Sequence, residues 1–310
     1  MTLKYNILWI DDQPESVEAK RAQIKEYIEE EKGFDCHIEP IISYNEYMRD
    51  YGAEAINTYD LLIVDFTLDD VEDPDNHSGF DIIKDIRDNK IYTEIIFYSS
   101  HYENLRQKIQ EQYIEGIFSS ARDELSHKVQ DIIDVIIKKV QDVNNLRGLI
   151  MAEVAELDIK KEQIIQSASK KITNKELEKY TLNKIKSSSK SNHTKAEKHL
   201  VEVNSVSFDS LFAQIGFVDS NKKAMTIGEA LEKLKITTPV SKQTFTQPYI
   251  DNILSKRNLF AHVKVSKGVD ASGNPCAVIG DIPFTEDKCI EIRKEIRAYK
   301  KILDEIEKQI

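Results

Sequence analysis

Leu61-Leu62-Ile63-Val64 is apolar at every position and stops at Asp65. A strand with one face in water alternates apolar and polar residues. A strand apolar throughout is buried on both faces, as in the middle of a parallel sheet. Ile95-Ile96-Phe97-Tyr98 repeats the pattern and stops at Ser99-Ser100, and Tyr5-Asn6-Ile7-Leu8-Trp9-Ile10 is a β-rich run that stops at Asp11-Asp12. Cys36 to Ile42 and Gly116-Ile117-Phe118 read as shorter strands. Helical patterns separate them, over 15–31, 44–55, 80–89 and 102–113. Strands alternating with helical segments imply βαβ units. Residues 1–125 are therefore expected to form an α/β domain, a doubly wound, five-stranded parallel sheet.

From about Asp123 the pattern turns helical and stays so. Val129, Ile132, Ile133, Ile136, Ile137, Val140 and Val143 form one apolar stripe, continued by Leu146, Leu149, Ile150 and Val154. The stripe predicts a long connecting helix over 126–165. It is either a dimer seam or buried against its own domain. An all-α domain is expected over 145–310, with helices near 196–216, 226–235, 246–260 and 286–310. Gly268, Gly273, Pro275, Gly280 and Pro283 break the pattern over 263–284 and predict a hairpin-like insertion. Residues 159–200 hold 11 Lys and 4 Glu, which suits a loop between helices or a nucleic-acid contact.

Charge separates the halves. Residues 1–128 hold 13 Lys/Arg and 29 Asp/Glu, whereas 129–310 hold 30 and 25. An acidic first half suits a divalent cation, and a mildly basic second half suits a polyanion. No apolar run approaches the ~18 residues that span a bilayer, and no basic-then-apolar leader opens the chain. Cys36, Cys276 and Cys289 lie far apart with no CxxC spacing. A cytoplasmic protein with reduced thiols and no membrane partner is expected.

In an open parallel sheet, ligands sit beyond the carboxyl ends of the strands. Asp11 and Asp12 follow the first strand, Asp65 the third and Ser99 the fourth, so topology brings all four to one edge. Three carboxylates there repel unless a cation joins them. Mg²⁺ prefers one or two carboxylates with waters and a phosphate oxygen, and such a site can make a carboxylate the nucleophile toward a phosphoryl donor.

Four blocks in this order resemble the response-regulator receiver domain, a flavodoxin-like fold: Ile7-Leu8-Trp9-Ile10-Asp11-Asp12-Gln13, Asp60-Leu61-Leu62-Ile63-Val64-Asp65-Phe66-Thr67-Leu68, Ser78-Gly79-Phe80-Asp81-Ile82-Ile83 and Ile95-Ile96-Phe97-Tyr98-Ser99. The resemblance implies a phosphoprotein of two-component signalling. Asp65 would be the phosphoacceptor. Asp11, Asp12, Asp65 and the Thr67 backbone carbonyl would hold Mg²⁺. Ser99 would be the switch residue with Tyr98 beside it, and a sensor histidine kinase or another phosphoryl donor the partner. The chain departs from the family twice. The stretch from Asp65 to Gly79 is longer than usual and very acidic, and the Lys expected after the fifth strand is replaced by Ser119-Ser120-Ala121-Arg122, where Arg122 is the nearest cation. A phosphorylated receiver and a phosphate-independent one both remain open.

Arg257-Asn258-Leu259-Phe260-Ala261-His262 closes a helical segment. The block resembles the signature of the HEPN superfamily, helical domains that often dimerise and whose members include metal-independent ribonucleases. Histidine moves protons near neutral pH, and arginine stabilises a phosphorane by paired hydrogen bonds. The resemblance makes Arg257, Asn258 and His262 the catalytic candidates, with RNA as substrate, a homodimer as the assembly and no cofactor in this half. Residues five apart lie about 140° apart on a helix, which favours a site shared between two chains. Glu153, Glu156 and Asp158 are candidates for supporting polar contacts, with solvated positions as the alternative. Two combined functions follow. One is a receiver that controls a HEPN-like endoribonuclease in phage defence or toxin-like growth arrest. The other is a non-catalytic phospho-signalling adaptor with a helical dimerisation and docking domain. No helix-turn-helix with a basic recognition helix is present to support a transcriptional regulator.

Overall fold

The computed structural model describes residues 3–68, 77–140, 143–188, 218–263 and 265–310, with 194, 197 and 212. The chain divides into two compact units, Thr2–Asp142 and Val143–Ile310.

In the first unit, β1 (Lys4–Ile10), β2 (Asp35–Ile41), β3 (Leu61–Asp65), β4 (Glu94–Ser99) and β5 (Ile117–Ala121) form a sheet of order β2-β1-β3-β4-β5. Every pairing is parallel. The doubly wound parallel sheet is what the alternating pattern predicts, and its flavodoxin-like order is what the resemblance implies. All five residues of β3 are buried, and each large apolar side chain so placed contributes about 1.5–3 kcal/mol. Leu8, Ile10, Leu62, Val64, Ile95 and Phe97 share one face with Ile82, Ile83 and Ile86 of α4 (Gly79–Asp88). The expected helix over 15–31 is a 3₁₀ turn at Pro14–Val17, α1 (Glu18–Glu26) and a π turn at Tyr27–Glu31. The expected helix over 44–55 is split into α2 (Tyr44–Asp50) and α3 (Gly52–Ala55). Ser43 caps α2 by accepting the Glu46 N–H at 3.1 Å. Then come α5 (Tyr102–Gln112) and α6 (Leu125–Val140).

Val129, Ile132, Ile133 and Ile137 of α6 are buried within one chain. Asp134 of α6 accepts from the Tyr27 hydroxyl at 2.7 Å and pairs with Lys32 at 2.7 Å. This part of the apolar stripe therefore packs on its own unit rather than forming a dimer seam. The expected 126–165 helix corresponds to α6 and to α7 (Val143–Lys171); its middle, 141–142, lies outside the described residues.

The second unit is largely helical: α7, α8 (Glu176–Lys186), α9 (Ser220–Lys233), α10 (Lys242–Tyr249), α11 (Ser255–His262) and α12 (Glu286–Gln309). Pro248 sits inside α10 and removes one backbone donor; a π turn, Ile250–Leu254, follows and leads into α11. At Gly228, in α9, an added Cβ would lie 2.1 Å from Thr246 Oγ1, so the absence of a side chain lets α9 and α10 touch. The interruption over 263–284 is a three-stranded antiparallel sheet, β6 (Val265–Val269), β7 (Pro275–Ile279) and β8 (Ile282–Phe284). The helix expected near 196–216 lies almost wholly outside the described residues.

Candidate functional site

The strand ends deliver what their sequences foretell. Register pairs Ile10 with Val64 and Asp65 with Tyr98, so Asp11 and Asp12 emerge beside Asp65. One carboxylate oxygen from each of Asp11, Asp12 and Asp65 lies within 4.8 Å of the others. Asp11 and Asp65 are buried at 2% and 4% exposure, and Asp12 is half-buried. Hard oxygen donors at this spacing match what a small divalent cation takes. The chain past β3 is held close. The Phe66 N–H donates to the Tyr98 carbonyl at 2.9 Å and the Gly79 N–H to the Phe66 carbonyl at 3.2 Å. At Gly79 a Cβ would stand 1.9 Å from the Asp65 carbonyl oxygen, so only glycine lets α4 start there. The Ser78 N–H donates to Asp81 at 2.8 Å and caps that start. The acidic stretch 69–76 lies outside the described residues.

Two findings go beyond the strand-end reading. Arg122, directly after β5, reaches the pocket. Its Nη2 donates to Oδ2 of Asp65 in a very short contact and to Oδ2 of Asp11 at 3.2 Å. Its own N–H is tied to the Ser99 carbonyl at 3.0 Å. Arg122 is thus a cation delivered to the pocket from the end of the fifth strand. The second finding is a buried chain of hydrogen bonds. Trp9 Nε1 donates to the Tyr98 hydroxyl at 3.1 Å, and that hydroxyl donates to Oδ2 of Asp11. Trp9 was not foreseen as a site residue, although it lies two residues before Asp11 in a strand, on the same face. Tyr98 therefore does more than neighbour Ser99, because it holds Asp11. Ser99, at 1% exposure, accepts the His101 N–H at 3.0 Å. Thr67 donates its N–H to Oδ1 of Asp65 at 3.4 Å.

Two of the solved structures similar to this chain are receiver domains. One is the signal receiver domain of a protein described as a Luxo repressor from Vibrio parahaemolyticus, at 17% identity over 44% of this chain and 92% of that one, with a TM-score of 0.30. The other is the receiver domain of the Francisella response regulator 1452, at 20% identity over 44% of this chain and 98% of that one, also with a TM-score of 0.30. No family profile and no curated protein matches the chain.

Burial dominates the electrostatics of the pocket. It raises the Asp65 carboxyl to about 6; Asp11 adds to the rise, while Arg122 and the Thr67 N–H oppose it. Burial lowers the Arg122 guanidinium, but Asp65 and Asp11 outweigh it and leave the group more basic than usual. Burial, with Asp65 and Asp11 nearby, pushes the Tyr98 hydroxyl far above the ordinary tyrosine range. Tyr98 therefore stays a protonated donor to Asp11.

The second motif is arranged differently. Arg257, Asn258 and His262 all lie on α11. Arg257 is half-buried and donates from Nη1 to Asn258 Oδ1 at 2.9 Å, while Asn258 and His262 are exposed. Among the described residues no hydrogen bond joins Arg257 to His262. The helix does not end between them, so one chain keeps them on separate sides. The backbone around His262 is clamped by Arg147 of α7, whose Nε donates to the Phe260 carbonyl at 2.8 Å and whose Nη2 donates to the Val263 carbonyl. Of the three candidate acids on α7, Glu153 is buried, Asp158 is half-buried and Glu156 is exposed. Asp158 pairs with the fully buried Lys161 at 2.6 Å and accepts from Ser220 Oγ at 2.5 Å. Neither Glu153 nor Asp158 is a solvated surface group. Asp158 instead neutralises a charge inside the unit.

Proposed function

We propose that the chain is a response-regulator-type protein whose first unit takes Mg²⁺ and a phosphoryl group at the Asp11, Asp12 and Asp65 pocket. The observation that carries this reading is the convergence of three carboxylates, Ser99 and Arg122 from the ends of four parallel strands. In this reading Asp11, Asp12, Asp65 and the Thr67 carbonyl would hold the metal. When bound, the metal neutralises the charge that builds on the transferred group. An oxygen of Asp65 attacks the phosphorus of a donor, such as the phosphohistidine of a sensor kinase or an acyl phosphate. The new O–P bond forms as the donor's bond to phosphorus breaks, and the donor leaves with that electron pair. Ser99 lies buried at the adjoining strand end, placed to bond an oxygen of the arriving group. The test is incubation with acetyl phosphate and Mg²⁺, read by intact mass. The wild type gains one phosphoryl group and Asp65→Asn gains none. Equal labelling of the two excludes Asp65 as acceptor.

A second, finer reading concerns the second unit. Arg257 is oriented by Asn258, and His262 is exposed at the helix end. These features suit metal-independent RNA cleavage at a site completed by a second copy of the chain. The receiver would control that activity in phage defence or growth arrest. His262 would pass protons to and from the ribose 2′-hydroxyl and the leaving oxygen, and Arg257 would neutralise the phosphorane. His262→Ala is expected to abolish cleavage of total RNA with the fold retained. A wild type that never cleaves RNA, with or without a phosphoryl donor, leaves the adaptor reading in its place.

A further inference from the structure

Arg122 holds several groups at once. Its Nη2 serves the Oδ2 atoms of Asp65 and Asp11, its Nη1 donates to Ser16 Oγ at 2.9 Å, and its guanidinium lies 5.5 Å from the centre of the Tyr98 ring. Ser16 is itself fixed, donating from Oγ to the Gln13 carbonyl at 2.8 Å on the turn that follows Asp11 and Asp12. One permanent cation thus ties the end of β5 to the ends of β3 and β1 and to the turn beyond β1. Both buried carboxylates are occupied from within. Asp65 takes the guanidinium on Oδ2 and the Thr67 N–H on Oδ1. Asp11 takes Tyr98 and Arg122 on Oδ2 and the Gln13 N–H, at 2.7 Å, on Oδ1.

We propose that Arg122 is a latch on the acidic pocket. Its guanidinium and a divalent cation are alternative occupants of the Oδ2 side of Asp65 and Asp11, so metal binding requires Arg122 to let go. The proposal rests on the pocket being a metal site, as read above. A Mg²⁺ ion bonds carboxylate oxygens at about 2.0–2.1 Å. A guanidinium hydrogen-bonded to those same oxygens would stand within a few ångströms of the ion, and in so buried a place the two positive charges repel strongly. An arginine makes the contest sharper than a lysine would. Its planar fork is held at Asp65, Asp11 and Ser16 together, whereas an ammonium on a flexible stem could slide aside. Ser16 therefore sets how firmly the latch stays closed without touching the metal.

The readout is built in. Trp9 is the sole tryptophan of the chain, and it is hydrogen-bonded through Tyr98 to Asp11. Releasing Arg122 from Asp11 and from the Tyr98 ring changes its surroundings. The test titrates the full chain with MgCl₂ and follows Trp9 fluorescence, with calorimetry as an independent measure of affinity. Arg122→Ala is expected to bind Mg²⁺ about tenfold more tightly than the wild type. Ser16→Ala shifts affinity the same way by about two- to threefold, the lower end of what one hydrogen bond contributes net. Arg122→Gln keeps a polar stem and serves where the alanine variant does not fold. Equal or weaker binding in the Arg122 variants overturns the latch while the metal-site reading stands. If no form binds Mg²⁺, both fall together.

Discussion

The two units bury charge in opposite ways. In the first, Asp11, Asp65 and Arg122 come from three strand ends and meet at an edge where a ligand can arrive. In the second, Lys161 is wholly enclosed by α7's own Asp158, by Ser220, and by the Tyr249 ring, whose centre lies 4.3 Å away. The residues with a chemical signature there, Arg257 and His262, sit at or near the surface and do not meet. Burial among converging groups prepares a site. Burial within a closed set only holds helices together. The difference can be tested by removing one member of each set.

The largest effect is expected from Asp158→Ala. It leaves the Lys161 ammonium, at 0% exposure, without its ion pair. Breaking a buried pair from one side costs about 3–5 kcal/mol. Urea unfolding followed by far-UV circular dichroism reads the loss, because Trp9 lies in the first unit and does not report on it. Lys161→Met removes the charge itself and should be far milder. If the two variants are equally damaging, the enclosed ion pair is not what counts.

The Asp65→Asn effect has the opposite sign. The folded carboxyl titrates at about 6, above the roughly 3.9 of an unfolded chain. Between those values the folded state keeps a proton that the unfolded state has lost. Stability of the first unit therefore falls as pH rises from about 4 to about 6, by about 3 kcal/mol. Asp65→Asn removes this slope and leaves the unit more stable than the wild type at neutral pH. The measurement is denaturant unfolding by Trp9 fluorescence across that pH range without Mg²⁺. A flat wild-type profile would mean that Arg122 neutralises Asp65 completely.

These contrasts also explain what could be read in advance. The parallel sheet, the strand ends and the Asp11, Asp12 and Asp65 cluster were legible because all-apolar runs that stop at carboxylates belong inside a parallel sheet, with their ends at one edge; the strand order was implied by the resemblance and not by the runs. Arg122 was visible as the cation after β5, but its grip on Asp65, Asp11 and Ser16 at once depends on side-chain reach, which spacing does not encode. Lys161 was read as one more member of a lysine-rich stretch. Its helical phase, four residues from both Leu157 and Ile165, places it on the buried stripe, and that signal went unused. Glu153 was named as a candidate for a supporting polar contact, and it is buried beside Val154 on the same stripe.

Arg147→Ala ranks third. It removes a charged donor from the Phe260 and Val263 carbonyls at the end of α11, which is worth about 1.5–3 kcal/mol for hydrogen bonds to a charged group. Hydrogen exchange should rise in α11 and the start of β6 while the first unit is unaffected. Exchange that spreads evenly over the second unit would show that Arg147 supports the whole bundle rather than the segment carrying His262.

The smallest effect on stability is expected for His262→Ala. The side chain is exposed and among the described residues makes no hydrogen bond or ion pair, so truncation should change unfolding by less than about 0.5 kcal/mol. That near-zero value gives the comparison its edge. A residue that the fold does not need, held at a helix end by an arginine from another helix, is free to act on something outside the chain. A loss of several kcal/mol would mean that His262 is structural, and the second unit would then resemble the enclosed Lys161 cluster throughout. An unchanged stability with a lost activity would set His262 beside Asp65, as a group placed for chemistry and dispensable to the fold.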